Sequence, residues 1–305
     1  MGANATQIQL FPGFAHSNVD VGDGITIHCT HGGNGPPLLL IHGYPQTHAI
    51  WHKVAGRLAQ DYSVVCPDLR GYGDSSKPAG LADHSNYSKR VMALDLVKLM
   101  QSFGFERFAV VGHDRGGRVA HRMARDHRAA VTRLCILDIS PTLTMYEGTT
   151  MEFARAYYHW FFLIQPAPNP ETLIGHDPKF YLRWKMGAMW NRPMTHFTDL
   201  AYSEYERCFC DPAAIHGSCE DYRAAAAIDL EHDRADRDAG RLVACPLLAL
   251  WGTRNPVWEQ YPDFLAIWRE HAPAVGGEAL DCGHFIPEEE PAKTLELLSA
   301  FLGSA

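Results

Sequence analysis

The chain has 305 residues, 46% of them hydrophobic and 20% charged, which is enough for a substantial core in one large domain or a domain with an insertion. The formal net charge is −8 and no basic run occurs, so we expect no nucleic-acid partner. No apolar run approaches the ~20 residues of a membrane span, and the N-terminus lacks the basic start and apolar core of a signal peptide. We therefore expect a soluble, cytoplasmic protein with no membrane partner.

The cysteines and histidines show no sign of a disulfide framework or a metal centre. The eight cysteines contain no CxxC pair, and several lie in apolar runs such as "RLCILD" (133–138). The seventeen histidines show no HExxH or other ligand spacing. We expect buried free thiols, no metal and no cofactor.

Short apolar runs typical of buried strands alternate with helix-length segments along the chain. The predicted strands are "GITIHC" (24–29), "PPLLLIHG" (36–43), "YSVVCPD" (62–68), "RFAVVGHD" (107–114), "VTRLCILDI" (131–139), "CPLLALWG" (245–252) and "GEALDCGHF" (277–285). The predicted helices are 48–60, 87–105, 117–127 and 291–302. This alternation predicts an α/β fold, with a mostly parallel sheet covered by helices on both faces.

A long interruption separates the fifth and sixth of these strands. Residues 142–235 are rich in aromatic and charged side chains, as in "FARAYYHWFFLIQP" and "FYLRWKMGAMW", and show no clear strand. We interpret this segment as an inserted helical cap that lies over the sheet. The predicted division is therefore a core domain of residues 1–141 and 236–305 with a cap of residues 142–235.

The turn "GHDRG" (112–116) lies between a predicted strand and a predicted helix and fits the pattern glycine-x-nucleophile-x-glycine. In α/β-hydrolases these glycines permit the strained turn that presents the nucleophile above the sheet edge. The central residue here is Asp114, where most such enzymes have serine. A structural turn with a capping or solvated aspartate would give the same pattern.

Two later residues complete a candidate triad. Asp138 ends the strand "RLCILD" and His284 follows the last predicted strand, which gives the order nucleophile, acid, histidine. The other candidate place for the acid, the loop after "LALWG", reads "TRNP" and offers Asn255 but no carboxylate. We therefore expect Asp138 to orient His284.

The motif "IHGYP" (41–45) follows the strand whose loop supplies one backbone N–H of the oxyanion hole in this fold. We expect the backbone N–H groups of Tyr44 and Arg115 to be the two donors. A proline-stabilised turn would also explain the motif, and both interpretations can hold together.

Several motifs together resemble a known family. "HDRGGR", "RAYYHWFF", "IHGSCEDYRA", "LDISPT" and "CGHF" are similar to the fluoroacetate dehalogenases, or haloacetate dehalogenases, of the α/β-hydrolase fold. The resemblance covers nearly the whole chain. Its two cap motifs are more specific than the triad, which epoxide hydrolases and haloalkane dehalogenases share in outline.

The resemblance implies hydrolysis of haloacetates through an ester on the nucleophile Asp114, with His284 as the base and Asp138 as its partner. It implies that the substrate carboxylate is bound by Arg115 and Arg118. The residues that it implies for the halide are His159, Trp160 and Tyr222. Three further residues match pocket positions only loosely: Tyr146, Lys185 and Trp190. Family members are commonly homodimers, so the resemblance implies that assembly.

The chemistry explains why these residue types are suitable. A free aspartate has a pKa near ~3.9 and is charged at neutral pH, so halide displacement needs no general base, and His284 is needed only to activate water for ester hydrolysis. A haloacetate carries its own negative charge towards Asp114. At ~4 Å and an effective dielectric near ~20 this repulsion is about 4 kcal/mol, and two guanidinium groups that bind the carboxylate in bidentate fashion would offset it.

Other interpretations remain open. Taken singly, Arg118 fits a surface position of a helix, and the stripe "YYHWFF" fits packing. An epoxide hydrolase would use the same triad with two tyrosines from the set Tyr157, Tyr158, Tyr181 and Tyr222, but a neutral epoxide has no use for paired arginines. A non-catalytic ligand-binding protein would be favoured by loss of a triad residue, and none is lost.

Overall fold

The computed structural model of the chain describes residues 5–187, 194–255, 258, 261 and 263–303. Trp190 lies outside the described residues. The strands are β1 (Ala15–Asp20), β2 (Thr26–Gly32), β3 (Pro37–Ile41), β4 (Ser63–Pro67), β5 (Phe108–His113), β6 (Val131–Leu137), β7 (Leu247–Gly252) and β8 (Val275–Leu280).

Within the described residues, the eight strands form one sheet in the order β1-β2-β4-β3-β5-β6-β7-β8. β2 pairs antiparallel with β1 and β4, and every pairing from β4 through β3 to β8 is parallel. The predicted, mostly parallel sheet is therefore confirmed. β5 lies near its centre and is buried at all six positions, which explains its continuous apolar run.

The strand β1 is absent from the sequence prediction. Its sequence "AHSNVD" has few apolar residues, and its burial alternates between half-buried and exposed positions. It pairs with β2 from Ala15 opposite His31 to Asp20 opposite Thr26 and forms one edge of the sheet. Because an antiparallel edge strand can face water on one side, it needs no continuous apolar run.

The helices surround the sheet. The α-helices are α1 (Ala5–Leu10), α2 (Ala55–Leu58), α3 (Lys89–Ser102), α4 (Arg115–Asp126), α5 (Thr142–Glu147), α6 (Met151–Ala156), α7 (Tyr158–Phe162), α8 (Asn169–His176), α9 (Pro178–Met186), α10 (Asp199–Phe209), α11 (Pro212–Ala226), α12 (Ile228–Asp238), α13 (Phe264–Arg269), α14 (Ile286–Glu289) and α15 (Pro291–Gly303). Short 3-10 helices cover His48–Trp51 and Ser85–Tyr87. Among the described residues, no helix has both the length and the apolar character needed to cross a membrane.

The local sequence explains where several helices begin. The hydroxyl of Ser88 accepts a hydrogen bond from the N–H of Val91 and caps α3.

The single helix predicted for residues 48–60 is wrong, because the chain forms the 3-10 helix His48–Trp51 and then the separate α2. The C-cap residue His52 ends the 3-10 helix by donating its N–H to the carbonyl of Ala49.

The chain between β6 and β7 is helical wherever it forms regular structure among the described residues. It runs from α5 to α12, and α12 ends at Asp238, beyond the predicted boundary at 235. α11 packs against α3 and the 3-10 helix Ser85–Tyr87, both of which precede the insertion in the chain. The inserted helices therefore rest directly on the rest of the fold.

Candidate active site

Asp114 occupies the turn between β5 and α4 with φ 48° and ψ −119°, a conformation that few non-glycine residues adopt. The turn depends on close backbone approach. A Cβ added to Gly112 would lie 2.5 Å from the carbonyl oxygen of Gly116, and one added to Gly116 would lie 2.2 Å from that of His42. A Cβ on Gly43 would lie 2.4 Å from the Cβ of Asp114. The geometry thus explains both glycines of "GHDRG" and the glycine of "IHGYP".

The carboxylate of Asp114 is held by donors on both of its oxygens. The backbone N–H of Tyr44 donates to Oδ1 at 2.9 Å, and Nε2 of His284 lies 3.6 Å from Oδ2. Burial alone would raise the pKa of Asp114, but the hydrogen bond and charge of His284 hold it well below its usual range. The group is therefore a carboxylate at neutral pH, as a nucleophile must be.

Asp138 lies at the end of β6 and binds the imidazole of His284. Nδ1 of His284 is 2.6 Å from Oδ2 of Asp138. The same carboxylate accepts hydrogen bonds from the N–H of Gly252 at 2.9 Å, Nδ2 of Asn255 at 2.7 Å and Nε1 of Trp258 at 2.6 Å. Four donors fix the acid, which in turn fixes the ring and requires its Nδ1 to carry the proton.

The charge state of His284 depends on the two carboxylates beside it. Burial lowers its pKa, but hydrogen bonds with Asp114 and Asp138 outweigh this and raise the pKa to about 9. The imidazole is therefore protonated at neutral pH while Asp114 is charged. When Asp114 becomes neutral, part of that support disappears and the pKa of His284 falls.

The two predicted oxyanion donors lie beside Asp114. The N–H of Tyr44 already contacts the carboxylate. Arg115 is the first residue of α4, so its N–H is one of those that a helix leaves without an internal partner. The partial positive charge of the same helix end also favours a negative oxygen there.

A cavity opens beside Asp114 and His284. Its lining residues are Tyr44, Asp114, Tyr157, His159, Lys185, Met186, His196, Tyr222, Asn255, His284, Phe285 and Glu289. The other predicted site residues are buried but lie outside that lining: Arg115, Arg118, Asp138 and Trp160. The structure therefore places some of the predicted residues in the cavity lining and the others in buried positions outside that lining.

Arg115 is completely buried and is held by Asp221 of α11. Its Nε and Nη2 donate to the two carboxylate oxygens of Asp221, each at 2.8 Å. Lys89 also contacts that carboxylate, and Tyr72 donates to it at 2.6 Å. The expected bidentate edge of Arg115 is therefore already occupied, and only Nη1 lacks a hydrogen-bond partner within the described part of the chain.

Arg118 is also buried but has different neighbours. Nη1 donates to the carbonyl of Ser140 and to the hydroxyl of Thr142, both at 2.9 Å, and Nη2 approaches the sulfur of Met145 at 3.2 Å. Within the described residues, no carboxylate oxygen lies within 4.0 Å of it, and its Nε has no partner. Burial and the charge of Arg115 lower its pKa to about 10, so it remains a cation at neutral pH.

Two of the predicted halide residues pack against these arginines, and two line the cavity. The guanidinium carbon of Arg115 is 4.0 Å from the ring centre of Tyr222, and that of Arg118 is 4.5 Å from the ring of Trp160. Among the described groups, neither the hydroxyl of Tyr222 nor Nδ1 of His159 has a hydrogen-bond partner. Burial and the charge of Lys185 hold the pKa of His159 well below its usual value, so this ring is neutral.

Several functional residues escape sequence reasoning. Asn255 orients Asp138, Asp221 orients Arg115, and Glu289 borders the cavity. Each is an ordinary polar residue in its local sequence, so only the tertiary contacts show its position. Lys185, matched loosely to the family, does line the cavity, and burial lowers its pKa to about 8.

Possible metal ligands occur away from the cavity. One set is His28, His48 and Asp68, whose ligand atoms lie within 4.8 Å of one another. The Asp68 carboxylate already accepts hydrogen bonds from the backbone and the ring of His48 and from the N–H of Asp74, each at 2.9 Å. These donors explain the carboxylate without an ion.

Comparison with known proteins identifies the family. The family model described as "alpha/beta hydrolase fold" matches residues 36–291, so the chain belongs to that family. It is 47% identical to the fluoroacetate dehalogenase of Burkholderia sp over 97% of this chain and 96% of that one. It is 34% identical to the soluble epoxide hydrolase of Corynebacterium sp. (strain C12), over 92% and 94% of the two chains. A solved structure from Nostoc sp PCC 7120, described as an alpha/beta hydrolase, superposes with a TM-score of 0.92 at 53% identity, covering 96% and 99%. The resemblance to the fluoroacetate dehalogenases is thus confirmed.

Asp138→Asn tests the predicted acid. The substitution keeps the shape of the side chain but places an amide against N–H donors and removes the charge that fixes the tautomer of His284, so turnover should fall by about 10⁴-fold. Steady-state kinetics measures the loss, and circular dichroism checks that the fold is retained. Near-normal turnover would assign the acid to another carboxylate.

Proposed function

We propose that the protein is a haloacetate dehalogenase, which hydrolyses fluoroacetate to glycolate and fluoride through an ester on Asp114. The main support for this proposal is Arg118, a buried cation with no carboxylate partner among the described residues. It lies one helical turn from Asp114, whose backbone carbonyl accepts its N–H at 3.2 Å. An unpaired buried charge costs several kcal/mol, and an anionic substrate would supply the missing charge. The 47% identity to a fluoroacetate dehalogenase supports the same substrate class.

The first step is displacement of the halide. An oxygen of Asp114 attacks the carbon that bears the halogen, a carbon–oxygen bond forms, and the carbon–halogen bond breaks with its electron pair on the halide. Arg115 Nη1 and Arg118 Nε bind the substrate carboxylate through single N–H groups, because the bidentate edge of Arg115 binds Asp221. Tyr222, His159 and Trp160 surround the departing halide.

The second step is hydrolysis of the ester. Once Asp114 is a neutral ester, the pKa of His284 falls and the imidazolium releases its Nε2 proton to solvent. The neutral ring can then take a proton from water. The hydroxide attacks the ester carbonyl, whose oxygen is stabilised by the N–H groups of Tyr44 and Arg115. The carbon–oxygen bond between the tetrahedral intermediate and the glycolate oxygen then breaks, and glycolate takes the proton from His284. Asp114 is left as a carboxylic acid, which gives its proton to His284 and restores the resting state.

His284→Asn tests the whole scheme. Asp114 should still be alkylated, because this step needs no base, but the ester should persist. Intact-protein and peptide mass spectrometry after incubation with chloroacetate should show one carboxymethyl group on Asp114. Wild type under the same conditions should return to its original mass. An unlabelled variant beside an active wild type would indicate direct attack by water.

Arg118→Gln tests recognition of the substrate charge. It removes the unpaired cation, so kcat/KM for chloroacetate should fall about 10–100-fold, the value of one charged hydrogen bond, while the low activity on neutral chloroacetamide should change little. Arg128→Gln, at an exposed position two residues beyond α4, is the matched control. Equal kcat/KM of wild type for chloroacetate and chloroacetamide would contradict carboxylate recognition.

Tyr222→Phe and Trp160→Phe test the halide site. Each removes one donor, which typically costs about 10²–10³ in rate where charge develops. Fluoride depends most on such donors because it is small and strongly hydrated, so defluorination of fluoroacetate should fall more than dechlorination of chloroacetate. Tyr202→Phe, outside the cavity lining, is the control. Equal losses for both halides would show that the two residues only pack the site.

An epoxide hydrolase is the second candidate, because Tyr157 and Tyr222 both line the cavity and a 34% identical relative bears that name. The buried positive charge of Arg118 has no role with a neutral epoxide. Incubation of wild type with styrene oxide and with fluoro-, chloro- and bromoacetate separates the two activities, and diol formation without halide release would reverse the assignment.

We further propose that residues 142–235 act as the cap of a core formed by 1–141 and 236–305. His159, Lys185 and Tyr222 of this segment line the cavity together with Asp114, which supports the division.

We also propose that the protein is a cytoplasmic homodimer. The eight cysteines are free, as in a reducing compartment, and the stacked rings of Phe180 and Trp184 offer an exposed apolar surface for a second copy. Sedimentation equilibrium measures the assembly, and a monomer at all concentrations would rule out the dimer.

A further inference from the structure

Glu289 is the last residue of α14. Both of its carboxylate oxygens accept hydrogen bonds from the loop that contains His284. The N–H of Gly283 donates to Oε2 at 2.7 Å, and the N–H of Phe285 donates to Oε1 at 2.9 Å. These two residues are the chain neighbours of His284 on either side. A single carboxylate therefore brackets the proposed base through its backbone.

A third hydrogen bond joins the same loop to β5. Nε2 of His113, at the end of β5, lies 2.7 Å from the carbonyl oxygen of His284. Burial and the charge of His284 lower the pKa of His113 to about 4, so the ring is neutral and its Nε2 donates to this oxygen. The His113 contact is a neutral hydrogen bond, whereas the two bonds to Glu289 have a carboxylate acceptor and are the stronger ones.

We propose that Glu289 is a positioning residue for His284. By accepting hydrogen bonds from the N–H groups of Gly283 and Phe285, it holds the imidazole where the ring contacts Asp138 and can reach the water that attacks the ester. The inference rests on the proposed function. Glu289 borders the cavity, but its oxygens bind the loop, so it acts through His284.

Loss of Glu289 should slow hydrolysis of the ester and leave alkylation of Asp114 unchanged. Alkylation of Asp114 requires no base, whereas hydrolysis of the ester requires a correctly placed His284. Because kcat/KM reports steps up to the first irreversible one, loss of Glu289 should leave kcat/KM almost unchanged while kcat and KM fall together. A general loss of folded enzyme would instead lower kcat and kcat/KM equally.

Glu289→Gln is the decisive variant. It keeps the size of the side chain but replaces one acceptor with an NH₂ group that faces a backbone N–H. With chloroacetate, whose weaker carbon–halogen bond makes ester hydrolysis more prominent, kcat should fall about 10–100-fold, as for a misplacement of about 1 Å, and kcat/KM should stay within about 2-fold. Acid-quenched samples should contain the ester on Asp114. Glu290→Gln, the same change at the next residue, should behave as wild type.

Two outcomes would overturn the inference: unchanged kinetics, or equal losses of kcat and kcat/KM without accumulated ester. If Glu289→Gln does not fold, Glu289→Asp decides, because it keeps the charge but draws the carboxylate back by one methylene, and the same selective loss of kcat is expected. Failure of the proposed function is distinguishable, since wild type would then release no halide and His284→Asn would carry no ester.

Discussion

The turn at Asp114 is the constraint on which the rest of the site depends. A non-glycine residue at positive φ costs of order 1–3 kcal/mol, so the surrounding structure must hold it there. It does so by contact: Gly43 lets the loop after β3 pass directly against the aspartate, and Gly116 lets the first turn of α4 approach the same loop. This contact also brings the N–H of Tyr44 onto the carboxylate. The strained turn and the oxyanion donor are therefore one packing arrangement.

Charge is distributed over the site in an uneven way that suits an anionic substrate. The charge of Arg115 is balanced by Asp221, and the adjacent Lys89 is shared between Asp221 and Asp229. This buried network is close to neutral and fixes geometry. Arg118, by contrast, has only neutral acceptors among the described residues. In the proposed mechanism, the net attraction for the substrate carboxylate therefore comes from Arg118, while Arg115 mainly contributes a rigid N–H donor.

Local pattern made some features predictable from the sequence and left others hidden. Continuous apolar runs marked the buried parallel strands, and two glycines marked the turn at Asp114, because both requirements lie within a few neighbouring residues. The polar edge strand β1 shows no such pattern, since its stability comes from pairing with β2. Asn255 was missed because it acts on a residue more than a hundred positions away. The expected bidentate clamp of Arg115 was wrong for a related reason: Asp221, from the inserted helices, occupies that edge, and such a partner depends on how two distant segments pack.

The residues of the proposed site come from two parts of the chain, the strand-bearing core and the inserted helices. The proposed nucleophile Asp114 and the proposed acid Asp138 directly follow β5 and β6, and the proposed base His284 lies in the loop after β8. The residues proposed to bind the halide, His159 and Tyr222, belong to the inserted helices, as does Asp221, whose carboxylate binds Arg115. Changes in the insertion can therefore alter which substrate and leaving group are accepted while the proposed nucleophile, acid and base stay in place. Relatives named for fluoroacetate and for epoxide chemistry align over nearly the same length of this chain, as expected when one fold hosts different sites.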